Sequence, residues 1–484
     1  MLPRCRRLGL LVFGVVTLAS PAPHGVAAES DAKPNIVLIF ADDFGWRDLA
    51  SNSDGFLETP NLDGLRAAGM WFTNAYAGAA NCTPSRACLM SGRYTPRHGV
   101  YAVGDTDRGP KSQFRLAPIP NTKHLAPSVV TMAEALQRRG YATAHFGKWH
   151  IGSPATQTGP TDQGFDVSPS GSGDTSDADE EKSGRKGSRI DSDPKHVFST
   201  THSACRFIVR NKSKPFFAYV ALHGIHVPLE ARATSVQKFE AKAAGFEKPH
   251  PSALYAACAY DLDDAIGILL KTLRDEGLEK NTLVIFTSDN GGTPQSVNEP
   301  LRGAKGAYYE AGIRVPLLAR WPAHVNANTV CDVPVINLDL YPTFVQAAGG
   351  RPADSLDGES LMPLFHGEGK LSRSSIYWHF PGYLDGPVPR GRDEVFRTRP
   401  VTVVRRGDWK LFVYHEEWLL DGGRDTLATN RAVELYNLRD DIGERNDVAN
   451  SEPRRRDELL DDLLAWARRT DAKFAAERSP PSAR

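Results

Sequence analysis

Net charge is absent from this chain. Its 484 residues carry 58 Lys and Arg against 58 Asp and Glu. No basic excess advertises a nucleic-acid partner, so any attraction for an anion must be local. Long apolar runs are scarce. Beyond the first 28 residues no segment reaches the roughly 18 uncharged apolar residues that a membrane-spanning helix requires, and none is expected. Cysteine is sparse as well, at six residues, and none stands at the expected cleavage point described below. That leaves a lipoprotein anchor without support. No internal repeat is visible. What remains is ordinary: 40% hydrophobic and 24% charged residues, as in globular proteins, with 42 Gly and 34 Pro that imply many loops. The length exceeds one structural unit.

The first 28 residues read as a secretory signal. Arg4, Arg6 and Arg7 form a positive start, Leu8 to Ala19 an apolar stretch, and Val26-Ala27-Ala28 a small-residue cleavage site before Glu29. The expected location is therefore periplasmic or extracellular. Export permits disulfides. Apart from Cys5 in the signal and Cys82, discussed below, Cys88, Cys205, Cys258 and Cys331 remain. Their spacing selects none of the three possible pairings. Cys258 sits in an apolar helical pattern and reads as packing.

Residues 35–41, N-I-V-L-I-F-A, form a continuous apolar run ending in Asp42-Asp43. That is the pattern of a buried parallel strand with carboxylates at its C-terminal end. Residues 283–288 repeat it before Asp289-Asn290. Residues 216–222 repeat it before His223 and His226, and 141–146 precede Lys148 and His150. Between the runs, Leu254, Cys258, Leu262, Ile266, Leu269 and Leu273 recur at helical spacing, and Met132, Ala133 and Leu136 mark another helix. Alternation of this kind predicts an α/β fold with a large, mostly parallel sheet flanked by helices, whose ligands bind at the carboxyl ends of the strands.

Residues 153–194 are rich in Ser, Gly, Asp and Pro and read as a surface insertion. From about residue 370 the character changes. Residues 401–414 predict two short strands around Gly407-Asp408, and Arg454 to Arg469 an amphipathic helix. The expected organisation is a catalytic α/β domain over 29–369 and a smaller α+β subdomain over 370–484.

Asp42, Asp43, Asp289 and Asn290 offer four oxygen-bearing side chains at two strand ends. Such a set suits Ca²⁺, or Mg²⁺, rather than zinc. Either pair alone would more often be a turn or cap. Two pairs, each after a buried strand, favour a cation, because the three carboxylates would otherwise repel. Arg86, Lys148 and Lys305 are candidate fixed cations; the two lysines sit among small and aromatic residues, where a solvated lysine is less expected. His150 and His226 are candidates for proton transfer, since imidazole titrates near neutrality. His223 is ambiguous.

The most specific string is C-T-P-S-R-A-C-L-M-S-G-R, from Cys82 to Arg93. A free cysteine is usually inert packing. Here Pro84 biases Thr83 away from helix, which places Cys82 on a loop leading into a helix from about Ser85 to Ser91. A helix N-terminus suits an anionic ester better than a core thiol. With Pro84 at +2 and Arg86 at +4, the string resembles the maturation signature of type I, formylglycine-dependent sulfatases of the alkaline phosphatase superfamily. Ser91 stands where that family more often has Thr. The resemblance runs from about Pro34 to the C-terminal region, through G-K-W-H-I-G, H-V-P, S-D-N-G, the Lys305 segment and L-Y-N-L-R-D-D.

This resemblance implies an alkaline phosphatase-like fold and a sulfatase whose Cys82 is oxidised to formylglycine by a maturation enzyme. Asp42, Asp43, Asp289, Asn290 and the modified Cys82 would bind Ca²⁺. Arg86 and Lys148 would hold the formylglycine hydrate, Lys305 and His226 would face the sulfate and its leaving oxygen, and His150 would help regenerate the aldehyde. One hydroxyl of the hydrate attacks sulfur, and the second then expels sulfate; a serine would lack that second hydroxyl. The likeness to bacterial polysaccharide sulfatases favours a sulfated glycan over a simple aryl sulfate. Candidate recognition residues are His379, Tyr383, Arg390 and Arg392, with Arg397 in the same loop. The alternatives are a phosphonate or phosphodiester hydrolase of the same superfamily and a catalytically silent glycan-binding relative. A Cys82–Cys88 disulfide would block the aldehyde.

Overall fold

A computed structural model describes residues 33–169, 189–247 and 251–477. The proposed signal segment lies outside them, as do residues 170–188 of the expected insertion. The main strands are β1 Asn35–Ala41, β2 Met70–Phe72, β3 Ala142–Gly147, β4 Phe216–Leu222, β5 Thr282–Ser288, β6 Leu317–Arg320 and β7 Thr329–Cys331. They form one sheet in the order β7-β2-β6-β5-β1-β4-β3. β5, β1, β4 and β3 are mutually parallel. β6 and β2 bring antiparallel pairing to one side, a feature that the apolar runs did not reveal.

Alternation along β1 divides the core. Ile36, Leu38 and Phe40 pack on one face with Met132, Leu136, Leu340 and Phe344. Val37 and Ile39 pack on the other with Ile208, Leu262, Ile266 and Leu269. A strand buried on both faces must be apolar throughout, which is why the run is continuous. The covering helices are α1 Pro60–Ala67, α2 Cys82–Ser91, α3 Met132–Gln137, α4 Val197–Asn211, α5 Ala253–Asp275 and α6 Leu340–Ala347. α3 starts at a capping box in which Thr131 Oγ1 accepts from Glu134 N and Glu134 accepts from Thr131 N.

A second sheet, antiparallel, consists of β8 Ser375–Phe380, β9 Val401–Arg406, β10 Trp409–Tyr414 and β11 Val433–Asn437. The hairpin between β9 and β10 turns at Gly407-Asp408, and Gly407 has φ 59, as a two-residue hairpin turn requires. Helix α7, Pro453–Thr470, covers this sheet through Leu459, Leu460, Leu463 and Trp466. The expected insertion does not begin as a free surface loop. Phe165 is buried against Trp149 and Phe217, and Val167 O accepts from His145 N at the edge of β3. An aromatic in a Gly-Ser-rich stretch had an apolar wall to fill. No helix among the described residues is long and apolar enough to cross a membrane.

Candidate active site

Strand register assembles the site. Ala41 pairs with Ser288 on one side and Leu222 on the other, so Asp42-Asp43 emerge beside Asp289-Asn290 and beside His223. β3 ends next to β4, and Lys148 N donates to Ala221 O at 2.9 Å. The four polar clusters therefore meet at one carboxyl edge. Asp43 takes φ 66, a left-handed conformation that Asp tolerates better than most residues; its N–H is 3.2 Å from Asp289 Oδ1.

Helix α2 delivers Cys82. The helix starts at Cys82 itself, one turn earlier than the sequence suggested. Pro84 falls in the first turn, where a missing N–H costs nothing. All ten residues of α2 are buried, and its polar side chains find partners: Ser91 Oγ donates to Ala87 O at 2.6 Å, and Asn337 Nδ2 donates to Ser85 Oγ at 2.9 Å. Gly92, φ 64, ends the helix and donates to Cys88 O. Cys82 and Cys88 are both free thiols. Cys88 lies 3.5 Å from His98 Nε2 and does not pair with Cys82.

Ligand atoms of Asp42, Asp43, Cys82 and Asp289 all lie within 4.8 Å of one another, and all four residues are buried. Cys82 Sγ is 3.5 Å from Asp42 Oδ1. Asn290 Nδ2 donates to Asp43 Oδ1 at 2.8 Å, while its Oδ1 is buried without a partner among the described residues. Arg86 grips Asp289 Oδ2 through Nε at 3.0 Å and Nη2 at 2.8 Å, and Nη1 donates to Lys148 O. Lys148 Nζ is 2.9 Å from Asp42 Oδ2, and Lys305 Nζ lies 2.7 and 2.9 Å from the two Asp43 oxygens.

Burial would raise the Asp42 carboxyl, but the charge of Lys148, aided by His226, His223 and Arg86, holds it well below the usual range. Asp289 is pushed up to about 7 by burial and by the neighbouring Asp42. Burial drives the Cys82 thiol upward, with Asp289 adding to the effect. Both His223 and His226 are pushed down, chiefly by burial and then by the nearby lysines.

His226 Nε2 is 3.8 Å from Asp43 Oδ2, and Nδ1 lies 2.7 Å from Val227 O. His150 follows β3 with φ 64. His223, ambiguous in the sequence, belongs here: Nε2 is 3.2 Å from Asp42 Oδ2. Tyr219, whose hydroxyl lies 3.3 Å from Arg86 Nη1, was missed. Its place in the apolar run of β4 gave no signal.

The four expected recognition residues are each engaged by other parts of the fold. His379 is 1% exposed; its ring nitrogens meet Thr402 Oγ1 and Lys473 O, and burial pushes its pKa down to about 4. Tyr383 stacks on Phe114 and donates to Glu416 Oε1. Arg390 donates to the carbonyls of Pro300, Leu301 and Gly443. Arg392 bridges Glu417 and Glu434 at 2.8 and 2.7 Å and covers the Tyr414 ring. His379 and Arg392 tie strands of the second sheet together, while Tyr383 and Arg390 fasten neighbouring loops.

A parallel sheet with acids and cations gathered at its carboxyl edge, and a cysteine at a helix N-terminus among them, defines an α/β enzyme for an anionic ester. The sequence matches the Sulfatase family over residues 34–350 and the N-sulphoglucosamine sulphohydrolase C-terminal family over residues 304–464. The chain belongs to the sulfatase family and is a sulfuric ester hydrolase. It is 30% identical to a sulfatase of Formosa agariphila, covering 92% of this chain and 89% of the relative. It is 33% identical to the N-acetylgalactosamine-6-sulfatase of Mus musculus, over 73% and 70% of the two chains. Among solved structures it resembles Ps i-CgsB at 27% identity, with a TM-score of 0.69 over 92% of this chain and 95% of that one. That protein is also known in complex with k-i-k-neocarrahexaose.

Proposed function

We propose that this chain removes sulfate from a sulfated carbohydrate, with formylglycine made from Cys82 as the nucleophile. The single observation that carries the reading is the convergence of Asp42, Asp43, Cys82 and Asp289 at a helix N-terminus, ringed by Arg86, Lys148 and Lys305. The glycan class is supported by the relatives, one named for a sulfated N-acetylgalactosamine and one complexed with a neocarrahexaose.

The donor set fits a hard divalent cation: three carboxylates meet in a buried cluster, and Asn290 beside them has a buried Oδ1 without a partner among the described residues. Asp42, Asp43, Asp289, Asn290 and position 82 would hold Ca²⁺, or Mg²⁺, which would supply positive charge to the sulfate oxygens. Formylglycine would supply, as its hydrate, one hydroxyl to attack sulfur and a second to release it. The charges balance. Three carboxylates already face Arg86, Lys148 and Lys305, so a divalent cation leaves room for a sulfate monoester and an ionised nucleophile.

In this reading Arg86, fixed by Asp289, and Lys148, fixed by Asp42, orient the nucleophile. Lys305 faces the sulfate as a fixed ammonium. His226 presents Nε2 to the site because Val227 O engages Nδ1. There it can hold or pass a proton at the leaving oxygen. His150 takes the proton that accompanies sulfate release. The segment 1–28 directs export, and residues 29–369 and 370–484 form the catalytic domain and a smaller subdomain.

The test is sulfate release from a set of sulfated mono- and oligosaccharides by protein co-expressed with a formylglycine-generating enzyme, with Cys82→Ala as control. Release from a sugar, lost in the control, is expected. No release from any sugar by aldehyde-bearing protein that still cleaves an aryl sulfate would refute the carbohydrate reading.

A further inference from the structure

The arginines at 390–399 divide once their partners are compared. Arg390 is occupied by three carbonyls, Arg392 by Glu417 and Glu434, and Arg399 by Asp393 and Glu416. Arg397 differs. Its guanidinium donates to two carbonyl oxygens, Nε to Gly386 O at 3.2 Å and Nη1 to Lys305 O at 3.4 Å, and among the described residues it forms no ion pair.

The side chain is partly buried and laid against backbone. Gly306 has φ 90, and a Cβ there would collide with the Arg397 stem; a Cβ on Gly386, φ 80, would stand 3.2 Å from Nη2. Two left-handed glycines thus leave the space that Arg397 fills. Arg108 and Asp385, paired at 3.0 Å, stand nearby. Burial and then Arg108 lower the guanidinium's pKa, while Asp385 and Asp43 oppose that shift, so the group lies within electrostatic reach of Asp43. The carbonyl it holds belongs to Lys305, whose ammonium contacts Asp43. Arg397 is thus fastened to the backbone of the lysine whose ammonium lies in the site.

A guanidinium held half out of water without a carboxylate has lost solvation and gained only weak acceptors in return. Its planar fork matches a carboxylate or a sulfate. We infer that Arg397 is a specificity-determining residue that binds a second anionic group on the sugar bearing the scissile sulfate, or on its neighbour. This rests on the sulfated-carbohydrate reading above.

The experiment uses the matured full chain and four substrates: an aryl sulfate, a monosulfated neutral sugar, a disulfated sugar, and a monosulfated disaccharide carrying a uronate. The wild type prefers at least one of the two doubly anionic sugars over the neutral one. Arg397→Gln lowers kcat/KM on that sugar by about 10- to 100-fold, mainly through KM, and at least tenfold more than on the aryl sulfate. Arg397→Lys recovers part of the loss. The doubly anionic sugar that responds identifies the anion as sulfate or carboxylate. Equal losses on all substrates would mean that Arg397 only props the Lys305 turn, and would overturn the proposal. So would a wild type with no preference for a second anion. Failure of the matured wild type on the aryl sulfate would instead strike the proposed mechanism beneath it.

Discussion

Two buried networks of charge can be set side by side. At the carboxyl edge of the parallel sheet, Asp42, Asp43 and Asp289 meet Arg86, Lys148 and Lys305. Beneath the antiparallel sheet, Glu310 meets Lys410 and Arg314, and Glu434 meets Arg392 and the hydroxyls of Tyr309, Tyr414 and Tyr436. Both are dry. In the first, acids from two strand ends converge on one point, with Asn290 Oδ1 left over and Asp289 raised to about 7. In the second, Glu310 and Glu444 share Lys410, and Glu444 too is raised to about 7, but the described residues there gather no metal-type cluster. Burial of charge does not mark a site by itself. Convergence with an oxygen to spare does.

The sharpest way to break this contrast is to remove the proposed nucleophile. Cys82→Ala should lower sulfate release by at least about 10³-fold while the folded far-UV spectrum persists; retained turnover would place the chemistry elsewhere. Next comes the acid cluster. Asp289→Asn should weaken cation binding by about 100-fold or more. A melting-temperature rise on adding Ca²⁺, present in the wild type, should be absent in the variant. If both proteins respond alike, the cluster is not the cation site.

The structural network should answer differently. Lys410 is fully buried between Glu310 and Glu444, at 2.8 and 2.9 Å. Lys410→Met leaves Glu444 without a base and Glu310 with Arg314 alone, and should cost about 3–5 kcal/mol by denaturant titration. An unchanged midpoint would show that the pairs contribute nothing net.

Acid should weaken the fold through buried neutral histidines. His98 and His145 are pushed down to about 3, and His379 to about 4, by burial, from an ordinary value of 6.5. Between those values the unfolded chain binds more protons, so stability rises with pH. It is complete above about 6.5 and is lost as pH falls toward 4 and 3. Urea midpoints should therefore drop from pH 7.5 to 5.5, and a flat profile would contradict these burial effects. The smallest catalytic effect belongs to His379→Gln, which should reduce stability by about 1–3 kcal/mol yet leave KM for sulfated substrates within about twofold. A large KM rise would return His379 to the recognition surface.

The sequence was most legible where function and local pattern coincide. The apolar runs at 35–41, 216–222 and 283–288 mark β1, β4 and β5, because strands buried on both faces admit nothing else, and the polar residues after them converge on one edge. The antiparallel pair β6 and β2 is not readable, since apolar runs of only three and four residues do not declare their partners. The loop arginines are not separable in the sequence for a related reason. Arg390, Arg392 and Arg397 look alike in sequence, and only the acids and carbonyls brought from 300–305, 417, 434 and 443 tell them apart. Pro84 points to a loop at Cys82 by the local rule for residues before proline, whereas a proline in the first helical turn is compatible with a helix that begins at Cys82.

The central claim is that Cys82 acts only after conversion. Peptide mass analysis of position 82 should be set against sulfate release across preparations with graded co-expression of the maturation enzyme. Turnover proportional to aldehyde content, extrapolating to zero with the thiol, is the predicted result. Undiminished turnover by protein whose Cys82 remains a thiol would contradict it.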